Sequence, residues 1–508
     1  MSLWHGVCSN RVLTVDAVSP SGWYRAAKRF TLLRNGLSCA HQVEFGNRSH
    51  RGAVSTSVSN SSPTLASLKK QALRGSLLEL SGYGTQQALR LGSNLILTRL
   101  LFPSAFGLSS LVSMLITGLA LLSDVGVQQF LIQSPRGDDP RFLNTAFTFQ
   151  AARGFVLAIL MVALAHPAAW FYNEPELAPL VYLGSLQLVF GGLHSTSVYT
   201  LRRRLALGWI TGLELGQFLL TLAIMIPWSY ARPGVWPLIA GGVISAGVST
   251  ICSHFLPVGY RNKFHWDKPA YKEINQFGRW IFGSTATGFL SGQSDRILLA
   301  RFLGATWLGI YSVALNLSEA VSAVTGRLVS GIVYPMLSQA AREPGADLPT
   351  IYYRVRLRLD SIAMTGTGFL AGAGGWIIHT LWDNRYEDAA WMLRILCVRV
   401  AVGCIVGPGE TCLFSLGHTR YGFFRSVSRL VSMFVCIPIG WYFGGVRGVI
   451  WATVAAEFPG FAIVWPKLHS LGILRLKREL LSAAIFLAAL VVALLLLPWL
   501  PTLHVRRH

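Results

Sequence analysis

Eleven ionisable side chains stand inside otherwise apolar runs of this sequence: Arg90, Asp124, Arg153 and Glu214 in its first half, and Asp295, Arg296, Glu319, Arg327, Arg399, Glu410 and Glu457 in its second. A charge at membrane depth costs at least ~2.5 kcal/mol and turns toward a cavity or a partner. Arginines and acids in such numbers suit a hydrated interior that holds an anionic head group, with the acids neutralising surplus arginine or relaying protons. Arg90 and Asn94 are four residues apart and share one helical face. Asp295 beside Arg296 reads either as an internal ion pair or as part of a substrate site, and Glu319 as a further acid for charge balance or ion coupling. Asp124, within Leu122-Ser-Asp-Val-Gly126, falls near the far end of its apolar run, where it either pairs with Arg153 or couples to protons. Arg99 and Arg301 stand at helix ends, where they snorkel to head groups or reach a cargo.

The elements that must position these residues are membrane helices. The chain is 52% hydrophobic and 13% charged, against about 25% charged residues in soluble domains. With about 20 apolar residues per crossing, spans are expected near 80–101, 105–131, 143–165, 178–200, 208–228 and 235–256, then near 278–303, 307–335, 357–381, 389–416, 423–444 and 446–467, and last near 480–500. The expected fold is all-α: a polytopic membrane protein of two six-helix bundles around a central cavity. The bundles cover 67–257 and 278–467, a cytoplasmic linker covers 258–277, and 468–508 supplies a cytoplasmic loop and one extra C-terminal helix.

The halves read as copies of one unit. Leu97 to Ser110, LTRLLFPSAFGLSS, returns as LARFLGATWLGIYS from Leu299 to Ser312, offset by 202 residues with five of fourteen positions identical. In each copy a helix is expected to end in an Arg-containing turn and to restart after Phe106-Gly107 or Leu308-Gly309. Repeated bundles of this kind place a substrate site between the halves in transporters.

A net charge of +22 would suit nucleic acid, but the cations fall in short loops, and every second loop is basic. One set carries Arg202 to Arg204, Arg261, Lys263, Arg354, Arg356, Arg358, Arg420, Arg425 and Lys467, while the other offers little beyond Arg232, Arg385 and Arg447. Lys and Arg are retained on the cytoplasmic side during insertion, which puts the N-terminus and the linker in the cytoplasm. The charge is then a topology signal. No basic stripe with interleaved aromatics indicates a nucleic-acid partner.

Residues 1–66 differ in kind, with seven cations against two acids and many serines. They read as a disordered basic extension, as an upstream start codon taken in error ahead of Leu68-Lys69-Lys70, or as a transit peptide. The seven cysteines show no CxxC spacing, so neither a metal site nor a disulfide framework is expected. No cofactor is expected either, and with no GxxxxGK loop ATP is not the direct drive. Gly366-Thr-Gly368-Phe-Leu-Ala371 fits a loose dinucleotide pattern, yet it lies in an apolar run with no preceding strand. Together with Gly372, Gly374 and Gly375 it reads as a small face that lets helices approach closely.

A membrane enzyme acting on lipid-linked sugars would share this composition. Its acids are expected in an early outer loop, whereas the acidic pair Glu174-Pro-Glu176 follows the third span. A solvated turn explains that pair, and no catalytic residue is assigned.

The stretches Leu68 to Ser76 (LKKQALRGS), Gly82-Tyr-Gly84, Arg90 to Leu101 (RLGSNLILTRLL), Pro103, Phe106-Gly107, Leu122 to Gly126 and Phe142 to Ala146 (FLNTA) resemble the polysaccharide transporter family. That family includes O-antigen-type and colanic-acid-type oligosaccharide flippases, and it lies within the multidrug/oligosaccharidyl-lipid/polysaccharide exporter superfamily. The likeness is close over about 68–155 and weaker to about 467. It implies movement of an undecaprenyl-diphosphate-linked oligosaccharide from the cytoplasmic to the outer leaflet of a bacterial inner membrane, for surface polysaccharide biosynthesis. The partners it implies are membrane lipids, the lipid-linked oligosaccharide, and polysaccharide polymerase and export machinery. On that reading Arg90, Asn94, Arg99, Arg296 and Arg301 contact substrate, and Asp124, Asp295 and Glu319 balance charge or couple an ion. The long N-terminal extension and single final helix depart from the twelve or fourteen spans common in the family.

Three other readings remain open at this point. A drug antiporter of the same superfamily would prefer an acid-dominated cavity, a membrane glycosyltransferase or ligase would need Glu174 and Glu176, and a non-transporting scaffold would tolerate neutral substitutions throughout the spans.

Overall fold

A computed structural model describes residues 65–124, 126–133, 137–258, 261–343 and 347–496. The expectation for 1–66 falls, but for its last two residues, outside them. The described residues form helices without a strand: α1 Leu65–Leu100, α2 Pro103–Leu122, α3 Val127–Gln133, α4 Pro140–Tyr172, α5 Leu177–Leu193, α6 Ser197–Arg203, α7 Leu207–Ala231 and α8 Trp236–Ser253. The second half follows as α9 Lys268–Leu328, a π-helical turn Val329–Val333, α10 Tyr334–Ala340, α11 Leu348–Leu381, α12 Ala389–Ser415, α13 Arg420–Ala455, α14 Pro459–Ser470 and α15 Leu476–Leu496.

Several helices begin where a proline follows an aspartate within two residues, because a carboxylate can accept an otherwise unpaired first-turn N–H and proline has none to lose. Asp139 accepts from the Arg141 N–H at 3.0 Å ahead of α4. Asp267 accepts from Ala270 at 3.4 Å ahead of α9, and Asp347 from Thr350 at 3.2 Å ahead of α11. The hydrogen bonds from Thr350 hold the Asp347 carboxyl below the usual carboxylate range.

Two glycines cut what would otherwise be continuous helices. Gly304 has φ 80° and Gly445 has φ 52°, a region that only glycine enters at no steric cost. The chain reverses at Gly304. Asp295 and Tyr311 hydrogen-bond at 2.7 Å, although sixteen residues of straight helix would hold them about 24 Å apart. Among the described residues nine helical stretches are long and apolar enough to cross a membrane, ten if the bent pair α5 and α6, at 56°, is one span. Two of the nine contain the glycine breaks and hold two passes each. A helix underlies every expected span, including the first, where α1 carries Arg90 within its run.

The boundaries differ from expectation where side chains bond to nearby backbone. The second expected span stops at Leu122 and resumes as α3, because Asp124 accepts from the Gly126 N–H at 3.0 Å and Gly126 takes φ 64°. In the repeat, helices restart at Pro103 and after Gly304; they do not wait for Gly107 and Gly309, which lie one turn inside α2 and the second limb of α9. There the two backbones cross. A Cβ on Gly107 would overlap the Ala305 carbonyl oxygen, and one on Gly309 would overlap that of Pro103.

Around this crossing the first half meets the second through backbone acceptors. Tyr386 donates to the Leu101 carbonyl at 3.2 Å, and Arg385 to that of Arg99 at 3.0 Å. Glu174, ahead of α5, accepts from the Ala305 N–H at 3.3 Å and so caps the second limb of α9. We call this the repeat end. The opposite, basic end carries Arg202 to Arg204 and the segment entering α9.

α15 packs along α11, where a Cβ on Gly368 would meet the Phe486 carbonyl and one on Gly372 the Ala493 methyl. The pairing is completed by a fully buried network in which Arg356 bonds Asp360 at 3.0 Å and Glu479 at 2.5 Å, while Tyr353 donates to Glu479 at 2.9 Å. Arg356 is therefore no loop cation. α11 starts at Leu348, nine residues before the expected span, and so carries Arg356 into the interior.

Candidate functional site

Six charged residues of the second half converge on a cavity of about 550 Å³. Arg399 and Glu410 are eleven residues apart on α12, and Arg425 and Arg429 four apart on α13, so each pair lies on one helical face. Glu319 comes from the second limb of α9 and Glu457 from the turn after α13; all six residues line the cavity.

Their pairing is dense. Asp295, 2% exposed, accepts from Arg399 at 2.7 Å and from Tyr311 at 2.7 Å. Glu457 gathers three guanidinium groups: Arg429 at 3.0 Å, Arg399 at 3.7 Å and Arg425 at 3.8 Å. The Arg429 Nε lies close to Glu457 yet makes no aligned hydrogen bond. Arg425 also bonds Glu410. Arg296 donates to Gln293 at 3.1 Å and reaches Glu319 at 4.0 Å, which sets it at the cavity's edge.

Of the expected site residues, Asp295, Arg296 and Glu319 are thus brought together. Arg90 and Asn94 are elsewhere, on the face of α1 that also carries Tyr83. Tyr83 lies under the Arg327 guanidinium from the second half, so that face looks toward the second half of the chain. Arg90 is exposed on it. Arg99 and Arg301 are exposed at the repeat end, Arg99 donating to the Leu381 carbonyl at 3.5 Å and Arg301 lying 5.5 Å from the Phe171 ring. Asp124 is in the first bundle, 3.8 Å from Arg153. Arg425 and Arg429 were not among the expected residues: Arg425 reads as a loop cation, and Arg429 lies unremarked inside the expected span 423–444. Their four-residue spacing is the signal that marks them.

A second cavity, of about 480 Å³, lies inside the first bundle. It is lined by Asp124, Arg153, Gln128, Gln150, Gln187 and Gln217, among others. The Arg153 guanidinium is committed to Ser123 at 3.0 Å and to the Ala120 carbonyl, beside Asp124. Ala120 and Asp124 line this cavity, and Ser322 and Gly326, each 202 residues further on, line the other.

A family model described as polysaccharide biosynthesis protein matches residues 96–391. The succinoglycan biosynthesis transport protein ExoT of Rhizobium meliloti (strain 1021) is 22% identical over 78% of this chain and 80% of its own length. The lipopolysaccharide biosynthesis protein WzxC of Escherichia coli (strain K12) is 21% identical over 70% of this chain and 72% of its own. Among solved structures, the lipid II flippase MurJ in an inward closed conformation superposes with a TM-score of 0.65, covering 83% of this chain and 92% of its own at 13% identity. That likeness shows a shared fold.

Proposed function

The chain belongs to the polysaccharide biosynthesis protein family, and from that premise we propose that it flips an undecaprenyl-diphosphate-linked oligosaccharide across the bacterial inner membrane for surface polysaccharide biosynthesis. A diphosphate and its sugars cannot enter hydrocarbon without a hydrated, cationic path. The observation that carries the reading is the meeting of Arg399, Arg425 and Arg429 in one cavity at membrane depth. A guanidinium bonds phosphate as it bonds carboxylate, with two parallel donors. The three arginines can therefore turn from Glu457, Glu410 and Asp295 to a diphosphate, and the carboxylates they leave then take up protons or another cation.

The other site residues take places around this step. Arg90 and Asn94 meet the head group from the cleft-facing side of α1, with Arg296 at the edge of the cavity. Arg99 and Arg301 serve the repeat end, where cargo leaves. Asp124, Asp295 and Glu319 balance charge or couple an ion. The N-terminus and the basic end face the cytoplasm, and polymerase and export machinery take up the glycan on the far side.

Arginines that equal the acids in number favour an anionic cargo over the cationic drugs of an antiporter. Glu174, which a membrane glycosyltransferase would need free, is held as the cap on Ala305.

The test is the appearance of lipid-linked oligosaccharide in the far leaflet of proteoliposomes, read with a lectin that reaches only outward-facing sugars. Wild type raises accessibility and Arg425→Gln/Arg429→Gln does not, while both remain folded. Unchanged accessibility with folded wild type and cognate lipid would reject the flippase.

A further inference from the structure

The first-bundle cavity has a different chemistry from the arginine cavity. Its single ion pair, Arg153 with Asp124, is internally matched, and Arg153 is further committed to Ser123 and Ala120. It therefore offers no unspent charge to an anion. What it does offer is amides. Gln150 is used, donating to the Gly191 carbonyl at 3.0 Å and accepting from Tyr199 at 3.2 Å. The side chains of Gln128, Gln187 and Gln217 line the same space from α3, α5 and α7 and form no hydrogen bond with other described residues.

A carboxamide presents one acceptor and two donors side by side, which matches a pair of neighbouring hydroxyls. Three such groups, contributed by three helices to a space of about 480 Å³, fit a neutral polyhydroxylated ligand. The volume lies in the range of about 300–1,000 Å³ common to small-molecule sites. Gly242 leaves room for the Gln187 amide, since a Cβ there would come within 2.9 Å of its nitrogen.

We propose that this amide-lined cavity is a sugar-binding subsite that holds part of the uncharged glycan while the second bundle holds the diphosphate. The proposal rests on the flippase reading and divides the cargo between the two bundles. The cavities suit that division because residues at the repeat offset line both, in the half of the molecule away from the Gly107 and Gly309 crossing. A head group entering from the basic end meets both.

The test compares binding of bare undecaprenyl diphosphate and of the same lipid carrying its oligosaccharide to purified protein in nanodiscs. Wild type binds the glycosylated lipid more tightly. Gln187→Leu/Gln217→Leu loses about tenfold of that advantage, as expected for several lost hydrogen bonds, and binds the bare lipid as wild type does, which also shows that it is folded. Gly242→Ala, which crowds Gln187 without removing it, lowers the advantage in the same direction. A double variant that keeps the full glycan advantage, or a wild type without any such advantage, overturns the subsite. Failure of the underlying reading looks different: Arg425→Gln/Arg429→Gln would then bind bare undecaprenyl diphosphate as tightly as wild type.

Discussion

Gly107 and Gly309 occupy reciprocal places, each pressed against the backbone carbonyl of the residue that lies four positions before the other. Pro103 and Ala305 are those residues, and the exchange maps the contact onto itself through the 202-residue offset. A contact of this kind, self-complementary like that of a symmetric dimer, tolerates no side chain on either strand of the crossing. Gly107→Val or Gly309→Val should force the two helices apart at the repeat end. A cysteine placed at the fully buried Leu101, unreactive to an impermeant maleimide in the parent, should then become labelled from that side. Lack of labelling in both variants would mean that the crossing does not seal the end.

The buried pairing of Arg399 with Asp295 should dominate the stability of the second bundle. Asp295→Leu leaves a guanidinium at membrane depth without its nearest acceptor, and loss of one partner from a buried pair costs about 3–5 kcal/mol. Arg399→Met should cost a similar amount. The double variant should recover part of the loss, with a coupling of about 0.5–3 kcal/mol for residues in contact, measured by melting in detergent. Strict additivity would show that the pair is not energetically linked.

Glu479 tests the attachment of the last helix. Glu479→Ala strips Arg356 and Tyr353 of their shared acceptor and should lower stability by about 3–5 kcal/mol. Protease cleavage in the loop before α15 should become faster. A truncation ending before Leu476 that retains wild-type melting would contradict this account.

The repeat-end contact made by Arg385 should be insensitive to pH over the physiological range. Burial alone would raise the Asp383 carboxyl, but hydrogen bonding and attraction from Arg385 outweigh it and hold the group below the usual carboxylate range. A depressed carboxyl pKa contributes stability that is complete above the unfolded value, about 3.9, and is lost as the pH falls through the folded value. Labelling at a cysteine in place of Leu101, normalised to an exposed cysteine at the same pH because the thiolate is what reacts, should therefore stay constant from pH 8 to pH 5. Asp383→Asn should abolish any rise that appears under stronger acid.

The helices and much of the charge pattern were legible in the sequence because hydrophobic runs and their polar interruptions are local. What was not legible depended on helices that run past their apolar stretches. Arg356 reads as a loop cation because α11 starts nine residues before its expected span, and Arg425 because it stands near the basic start of α13. The convergence of Asp295 with Arg399 and Glu457 joins positions more than a hundred residues apart, and no spacing encodes that. The glycines of the repeat segment, by contrast, do not restart helices as expected but let two backbones cross.

Gly304 joins its two limbs with a single residue, and Asp295 on one limb is bonded to Tyr311 on the other. The hairpin is thereby a stiff wedge with its tip at Ala305, against Gly107, and its open side at the arginine cavity. Arg399, which lines that cavity, donates to both Asp295 and Tyr311, so a single guanidinium ties both arms of the wedge to the cavity wall.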